Sequence, residues 1–166
     1  MDFNPISLIV CVLVCQAVGI VGGIFTAFSE KAWFKTLRKS ALQPPSRVMG
    51  LVWIGLYTLM GTALYLVWRM PPETPGRTIT LILFAVQLLL GDIWPLFFFK
   101  VKHPLVAFVE SVVTWVFVLG TAIAFAYLSV VTLFFWIPVW IWVSFEAYLN
   151  FSMMSLNDEP VATVHP

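Results

Sequence analysis

The chain has 166 residues, 61% of them hydrophobic and 10% charged, with a mean hydropathy of +0.97 and a formal net charge of +1. Soluble domains hold roughly 45–50% apolar and about 25% charged residues, so this composition excludes a soluble α/β enzyme, a disordered tail and a nucleic-acid binder. It predicts an all-α integral membrane protein, and at roughly 20 apolar residues per crossing there is material for about five spans.

The first apolar run covers residues 6–28 and contains no charge. It is longer than the roughly 7–15-residue apolar core of a secretory signal, and Asp2 rather than a basic residue precedes it, so it reads as a retained span. Cys11 and Cys15 lie within this run. Their spacing suits neither a disulfide framework nor a zinc site, which leaves an apolar role. Residues 29–50, SEKAWFKTLRKSALQPPSRVMG, differ in kind. Basic side chains, one tryptophan and adjacent prolines mark a long amphiphilic loop with short helical turns, suited to lie over the mouth of a bundle.

The second span is expected at about 48–68, before a turn holding Pro71, Pro72, Pro75 and Gly76. The third covers about 78–99 and ends in a short basic turn; the fourth, about 105–128, and the fifth, about 131–154, follow almost without a polar connector. Residues 155–166 form a short tail, expected to be loose. No internal repeat of the transporter kind is present.

Orientation follows from the basic residues. Lys31, Lys35, Arg38, Lys39 and Arg47 share a side with Lys100 and Lys102, while only Arg69 and Arg77 face the other. The bias places the first loop and the C-terminus in the cytoplasm and the N-terminus outside. A bacterial envelope and a mitochondrial membrane are not distinguished.

Ionisable residues inside spans are expensive and mark functional candidates. Glu110, six residues past Pro104, lies at a depth that allows partial solvation or pairing with a loop cation. On the last span Pro138, Trp142, Glu146 and Asn150 recur every four residues and form one stripe, which must face protein or a wet cavity. Two readings of Glu146 stand side by side: a carboxyl facing a pocket, and one satisfied by a neighbouring helix. The third span carries Gln87, Gly91, Trp94 and Phe98 at helical spacing, with Asp92 on a flank suited to helix packing or subunit contact. Trp53, Tyr57 and Gly61 share a face of the second span. No metal-spaced cluster, nucleophile elbow or glycine-rich phosphate loop occurs, so no metal, cofactor or nucleic-acid partner is expected. Indole, phenol, amide and carboxyl groups within an apolar bundle suit the binding of a flat, greasy ligand better than acid–base catalysis.

These residues resemble the translocator protein family, also called the tryptophan-rich sensory or peripheral benzodiazepine receptor family, from about Trp33 to Asn157. The loop WFKTLRKSALQPP is similar to W-Y-x-x-L-x-K-P-x-x-x-P-P on Trp33, Leu37, Lys39, Pro44 and Pro45. VMGLVWIGLYTLMG resembles V-F-x-x-x-W-x-x-L-Y-x-x-M-G on Trp53, Leu56, Tyr57, Met60 and Gly61. QLLLGDIWPLFFF is similar to Q-x-x-L-N-x-x-W-x-x-x-F-F on Gln87, Leu90, Trp94, Phe98 and Phe99. The last span follows P-Y-x-x-W-x-x-F-A-x-x-L-N on Pro138, Trp142, Phe145, Leu149 and Asn150, and Asn157 matches a further family asparagine. The chain departs from the pattern at Phe34, Ser40, Gly91 and Val139, and most of all at Glu146, where the family carries a small residue.

The resemblance implies a five-helix bundle whose internal pocket opens toward the cytoplasm and is lidded by the long loop between the first two spans. It implies a ligand site drawn from Trp33, Leu42, Pro44, Pro45, Trp53, Tyr57, Gln87, Gly91, Trp94, Pro138, Trp142, Glu146 and Asn150. The implied ligand is a porphyrin-type tetrapyrrole, and the implied assembly is a homodimer in the bilayer. Some bacterial members promote light-dependent porphyrin breakdown, for which Trp53 and Trp142 stand at the matching positions. The small-residue pairs Gly19/Gly23 and Gly120/Ala124 permit the close helix approach a dimer needs. No lysine or arginine follows Lys102, so the sterol-recognition pattern of animal members is not carried over. Two further functions stay open: transport of a small hydrophobic or amine ligand with Glu146 as counter-ion, and a non-catalytic interaction with another membrane protein.

Overall fold

The computed structural model describes residues 3–28 and 31–157. Residues 158–166, most of the expected loose tail and His165 with it, lie outside the described residues. The described chain is helical throughout, with no strand: α1 (Pro5–Phe28), α2 (Lys31–Thr36), α3 (Ser46–Trp68), α4 (Arg77–Leu96), α5 (Pro104–Leu128) and α6 (Leu133–Asn157). Five of these helices are long and apolar enough to cross a membrane, and only the short α2, within the first loop, is not. The expected five-span, all-α membrane fold is therefore what the chain adopts. Large apolar side chains such as Leu13, Ile54, Ile123 and Ile141 are exposed on the spans, as a lipid solvent requires.

The helix ends follow local chemistry. Arg77 donates from Nε to the Val67 carbonyl at 3.3 Å, which also accepts the Met70 amide, and from Nη2 to the Trp68 carbonyl at 3.0 Å, capping the end of α3. Pro95 removes a donor late in α4, and the chain beyond it widens into a π-helical turn over Phe97–Val101. Lys102, in the left-handed region at φ 53°, then turns the chain, and Pro104 starts α5 behind an extended His103.

α1 packs on α3 and α4, α5 lies between α4 and α6, and α3 also meets α6. The α1–α3 contact is close because Gly61 has no side chain. A Cβ there would stand 2.6 Å from Val12 Cα and 3.0 Å from the Cys11 carbonyl oxygen. Gly19 lies under the Tyr57 ring, and Gly22 faces Asp92 Oδ1, which a Cβ would meet at 2.8 Å. Gly19 thus serves the chain's own packing, whereas Gly23 and Gly120 look onto open space.

Two apolar clusters result. The main core includes Leu56, Tyr57, Phe84, Phe125, Trp136 and Val143. A smaller one at the end of α4 and α6 is built from Phe98, Phe99, Ala107 and Met153, with Trp33, Phe34 and Leu37 packed against it.

Replacing Gly61 with alanine pushes a methyl into the α1 backbone, and overpacking of this kind costs about 1–3 kcal/mol. Gly61→Ala is expected to lower the unfolding temperature in detergent, while Gly55→Ala, which meets nothing within 4 Å, leaves it unchanged.

Candidate functional site

A small cavity lies between α3, α4, α5 and α6, walled by Trp53, Tyr57, Met60, Gln87, Leu88, Gly91, Thr114, Val118, Val139 and Val143. Its volume is ≈ 20 Å³. One water needs roughly 10–15 Å³, so a water fits and a macrocycle does not unless the walls move.

Three of the wall's four polar side chains, Trp53, Tyr57 and Thr114, are tied to a carboxyl. Trp53, two turns into α3, donates from Nε1 to Glu146 Oε1 at 2.9 Å. Trp142, one turn before Glu146 on α6, donates from Nε1 to the same oxygen at 3.0 Å. Tyr57, on the Trp53 face of α3, donates its hydroxyl to Asp92 Oδ1 at 3.2 Å. Thr114 donates from Oγ1 to Glu110 Oε1 at 2.7 Å, one turn back along α5. Glu110 Oε2 is buried without a hydrogen-bond partner among the described residues. Gln87, almost wholly buried, donates from Nε2 to Met60 Sδ at 3.6 Å.

Four of the thirteen expected site residues lie on the cavity wall: Trp53, Tyr57, Gln87 and Gly91. Trp142 and Glu146 join through the Trp53 bond, and Asn150 is buried beside them, donating from Nδ2 to the Glu146 carbonyl at 3.0 Å. Glu146 thus has the neighbouring-helix partner that one of its two readings required, and that partner is itself a wall residue.

The remaining residues stand elsewhere. Trp33 packs on Phe98 with ring centroids 5.3 Å apart, and Trp94 stacks on the same ring at 4.8 Å, so both belong to the second apolar cluster. Leu42 and Pro45 are exposed and Pro44 is partly buried. Pro138 is exposed and does not share the inward stripe. A strict four-residue repeat drifts by about 40° per step on a helix of 3.6 residues per turn, which amounts to roughly 120° between Pro138 and Asn150. The inward stripe runs instead through Val139, Val143, Glu146 and Asn150.

The sequence also missed two partners. Asp92 faces α1 at Gly22 and accepts from Tyr57, a packing role in keeping with its flank position but one that touches the cavity wall. Asn157 accepts at Oδ1 from the Arg38 amide at 3.0 Å and donates from Nδ2 to the Arg38 carbonyl at 2.9 Å, fastening the first loop to the end of α6. Such a pairing is legible only once the ends of loop and helix are known to meet.

Comparison with known proteins agrees with this architecture. The pattern of the TspO/MBR family matches residues 11–156. The tryptophan-rich protein TspO of Chlorobaculum tepidum is 36% identical over 157 residues, covering 95% of this chain and 99% of the relative. The tryptophan-rich sensory protein of Cereibacter sphaeroides is 33% identical over 125 residues, 75% of this chain and 77% of the relative. The translocator protein of Ovis aries is 30% identical over 140 residues, 84% and 83% of the two chains. The chain belongs to the TspO/MBR family, a multi-pass membrane family of the receptor and sensor kind.

The Asn157–Arg38 pair yields a direct test. Each hydrogen bond contributes about 0.5–1.5 kcal/mol, so Asn157→Ala is expected to raise tryptic cleavage after Arg38 and Lys39 on the order of tenfold. The rate of that cleavage in membranes, with the rest of the bundle left intact, is the measurement.

Proposed function

We propose that this TspO/MBR family member is a receptor for a hydrophobic planar ligand of the porphyrin type, with light-dependent breakdown of that ligand involving Trp53 and Trp142. The observation that carries this reading is the pair of indoles, from two different helices, held on one oxygen of Glu146, with one indole forming the cavity wall. An indole is a broad stacking surface for a macrocycle and an easily oxidised neighbour for an excited one. Trp53 also lies 5.5 Å, centroid to centroid, from Tyr57 at 36°, which extends the aromatic wall.

The cavity is too small for a macrocycle as it stands, so entry requires α3 and α6 to part and Trp53 or Trp142 to leave Glu146. The first loop fits the part of a lid over that opening, since α2 is seated on the second cluster and Arg38 is fastened to Asn157. The excess of basic residues in the first and third loops supports a cytoplasmic lid. The open faces at Gly23 and Gly120 leave room for a homodimer contact. A second reading, transport of a small hydrophobic amine, draws on the carboxyls around the cavity, and a non-catalytic partner role remains the reading if no small ligand binds.

Quenching of tryptophan fluorescence by added protoporphyrin, in the dark and under illumination, tests the lead. Stacking on one aromatic side chain contributes about 1–3 kcal/mol in nucleic-acid complexes, and a macrocycle offers comparable area. Trp53→Phe and Trp142→Phe are each expected to weaken porphyrin binding about tenfold and to slow any light-driven conversion, with the fold retained. Trp68→Phe, at an exposed site beside Arg77, is the control. Equal loss in all three variants, or no quenching in the wild type, contradicts the reading.

A further inference from the structure

A count of donors and acceptors around the cavity shows an imbalance. The wall's polar side chains are Trp53, Tyr57, Gln87 and Thr114. The indole, the phenol and the threonine hydroxyl already donate to Glu146, Asp92 and Glu110, and the Gln87 amide donates to a sulfur. Trp142 donates to Glu146 as well. Each of these side chains has one N–H or O–H to give, Gln87 excepted, so the wall is nearly exhausted of donors.

Acceptors are in surplus. A carboxyl group has about four lone-pair sites, two on each oxygen, and the buried Glu110 Oε2 has neither of its own filled among the described residues. No lysine or arginine occurs within residues 5–28, 48–68, 78–99 or 103–166, so none comes from within the spans to balance these groups. A ligand whose polar atoms only accept, such as a carboxylate, therefore finds one spare donor on the wall, the second N–H of Gln87. A ligand bearing nitrogen donors finds acceptors directly behind the wall, in the carboxyls that Trp53, Tyr57 and Thr114 hold.

We infer that the cavity selects hydrophobic ligands that carry a nitrogen-borne hydrogen-bond donor, protonated amines above all, and that Glu146 sets this preference. Glu146 is the residue at issue because it stands where the family pattern has a small side chain, and because both indoles are bound to its Oε1. Its other oxygen is taken up by neither. An amine that enters as the free base against a protonated Glu146 takes the acid's proton. One that enters as ammonium meets the carboxylate. Either way an ammonium–carboxylate pair forms, and such charge-assisted bonds are about twice as strong as neutral ones. A free-base porphyrin qualifies through its inner pyrrole N–H groups. The inference rests on the cavity being the ligand site, and not on the ligand being a porphyrin.

The test uses the full chain in phosphatidylcholine nanodiscs, with empty discs as the blank, and three matched probes: 1-naphthylmethylamine, 1-methylnaphthalene and 1-naphthoic acid. Equilibrium dialysis is expected to rank the amine about tenfold or more above both others, because a hydrogen bond to a charged group is at stake. Glu146→Gln keeps an oxygen for the indoles but cannot pair with ammonium. It is expected to bring the amine down about tenfold while leaving methylnaphthalene unchanged. An acid or hydrocarbon bound as tightly as the amine by the wild type overturns the inference, whether or not the variant folds. So does an amine preference that survives Glu146→Gln, or one abolished by Glu110→Gln alone. Protoporphyrin quenching is followed in the same discs. Porphyrin binding without amine ranking overturns this inference alone, and amine ranking without porphyrin binding overturns the porphyrin reading alone.

Discussion

Hydrocarbon offers no water to a buried N–H or carboxyl, and every such group left alone costs several kcal/mol. In this bundle the constraint bears on three carboxyls, one on each of α4, α5 and α6, and a side-chain donor answers one oxygen of each, while Glu110 Oε2 and the indole N–H groups of Trp94, Trp136 and Trp140 have no partner among the described residues. Tyr57 answers Asp92, Thr114 answers Glu110, and two indoles answer one oxygen of Glu146. Because Tyr57 and Trp53 both project from α3, the Tyr57–Asp92 bond ties that helix to α4 and the Trp53–Glu146 bond ties it to α6. The cavity is the space these bonds enclose, and its chemistry follows from their direction.

A consequence for packing is the division of labour between helices. α1 supplies small residues that let α3 and α4 come close: Gly19 under Tyr57, Gly22 against Asp92, and the backbone at Val12 against Gly61. The close approach on that side positions Tyr57 for its bond to Asp92. α6 supplies the other wall, with Val139 and Val143 on the cavity and Glu146 one turn beyond. The second aromatic cluster, with Trp33 and Trp94 around Phe98, seats the first loop at the end of the bundle and not inside it.

The fold was legible in composition and in the spacing of apolar runs, since a span announces itself by length and lack of charge. The cavity was legible in part. Trp53, Tyr57, Gln87 and Gly91 share faces that a helical wheel shows, but the every-fourth-residue pattern on α6 led outward to Pro138, because a four-residue step overshoots a 3.6-residue turn. Val143 carries no polar mark and was invisible without its neighbours, and Val139 was marked only as a departure from the family pattern. Asp92 lies beside Gly91 on the sequence, and only the meeting of α3 and α4 shows its oxygen under the Tyr57 hydroxyl. The Arg38–Asn157 pair spans 119 positions and follows from no local rule. Local pattern thus specified part of the inward face, and tertiary contact completed it and specified which residues meet.

The central claim is that a single carboxyl oxygen holds indoles from both walls of the cavity. It is tested most directly by the indole Nε1–H resonances of nitrogen-15 tryptophan-labelled protein, with Trp53 and Trp142 assigned through their phenylalanine variants. The account predicts that these two signals stand downfield as hydrogen-bonded N–H groups and that both move upfield together in Glu146→Ala, while the Trp115 signal, bonded to Ser144 at 2.7 Å, stays in place. A Glu146→Ala spectrum in which only one of the two moves, or neither, contradicts it.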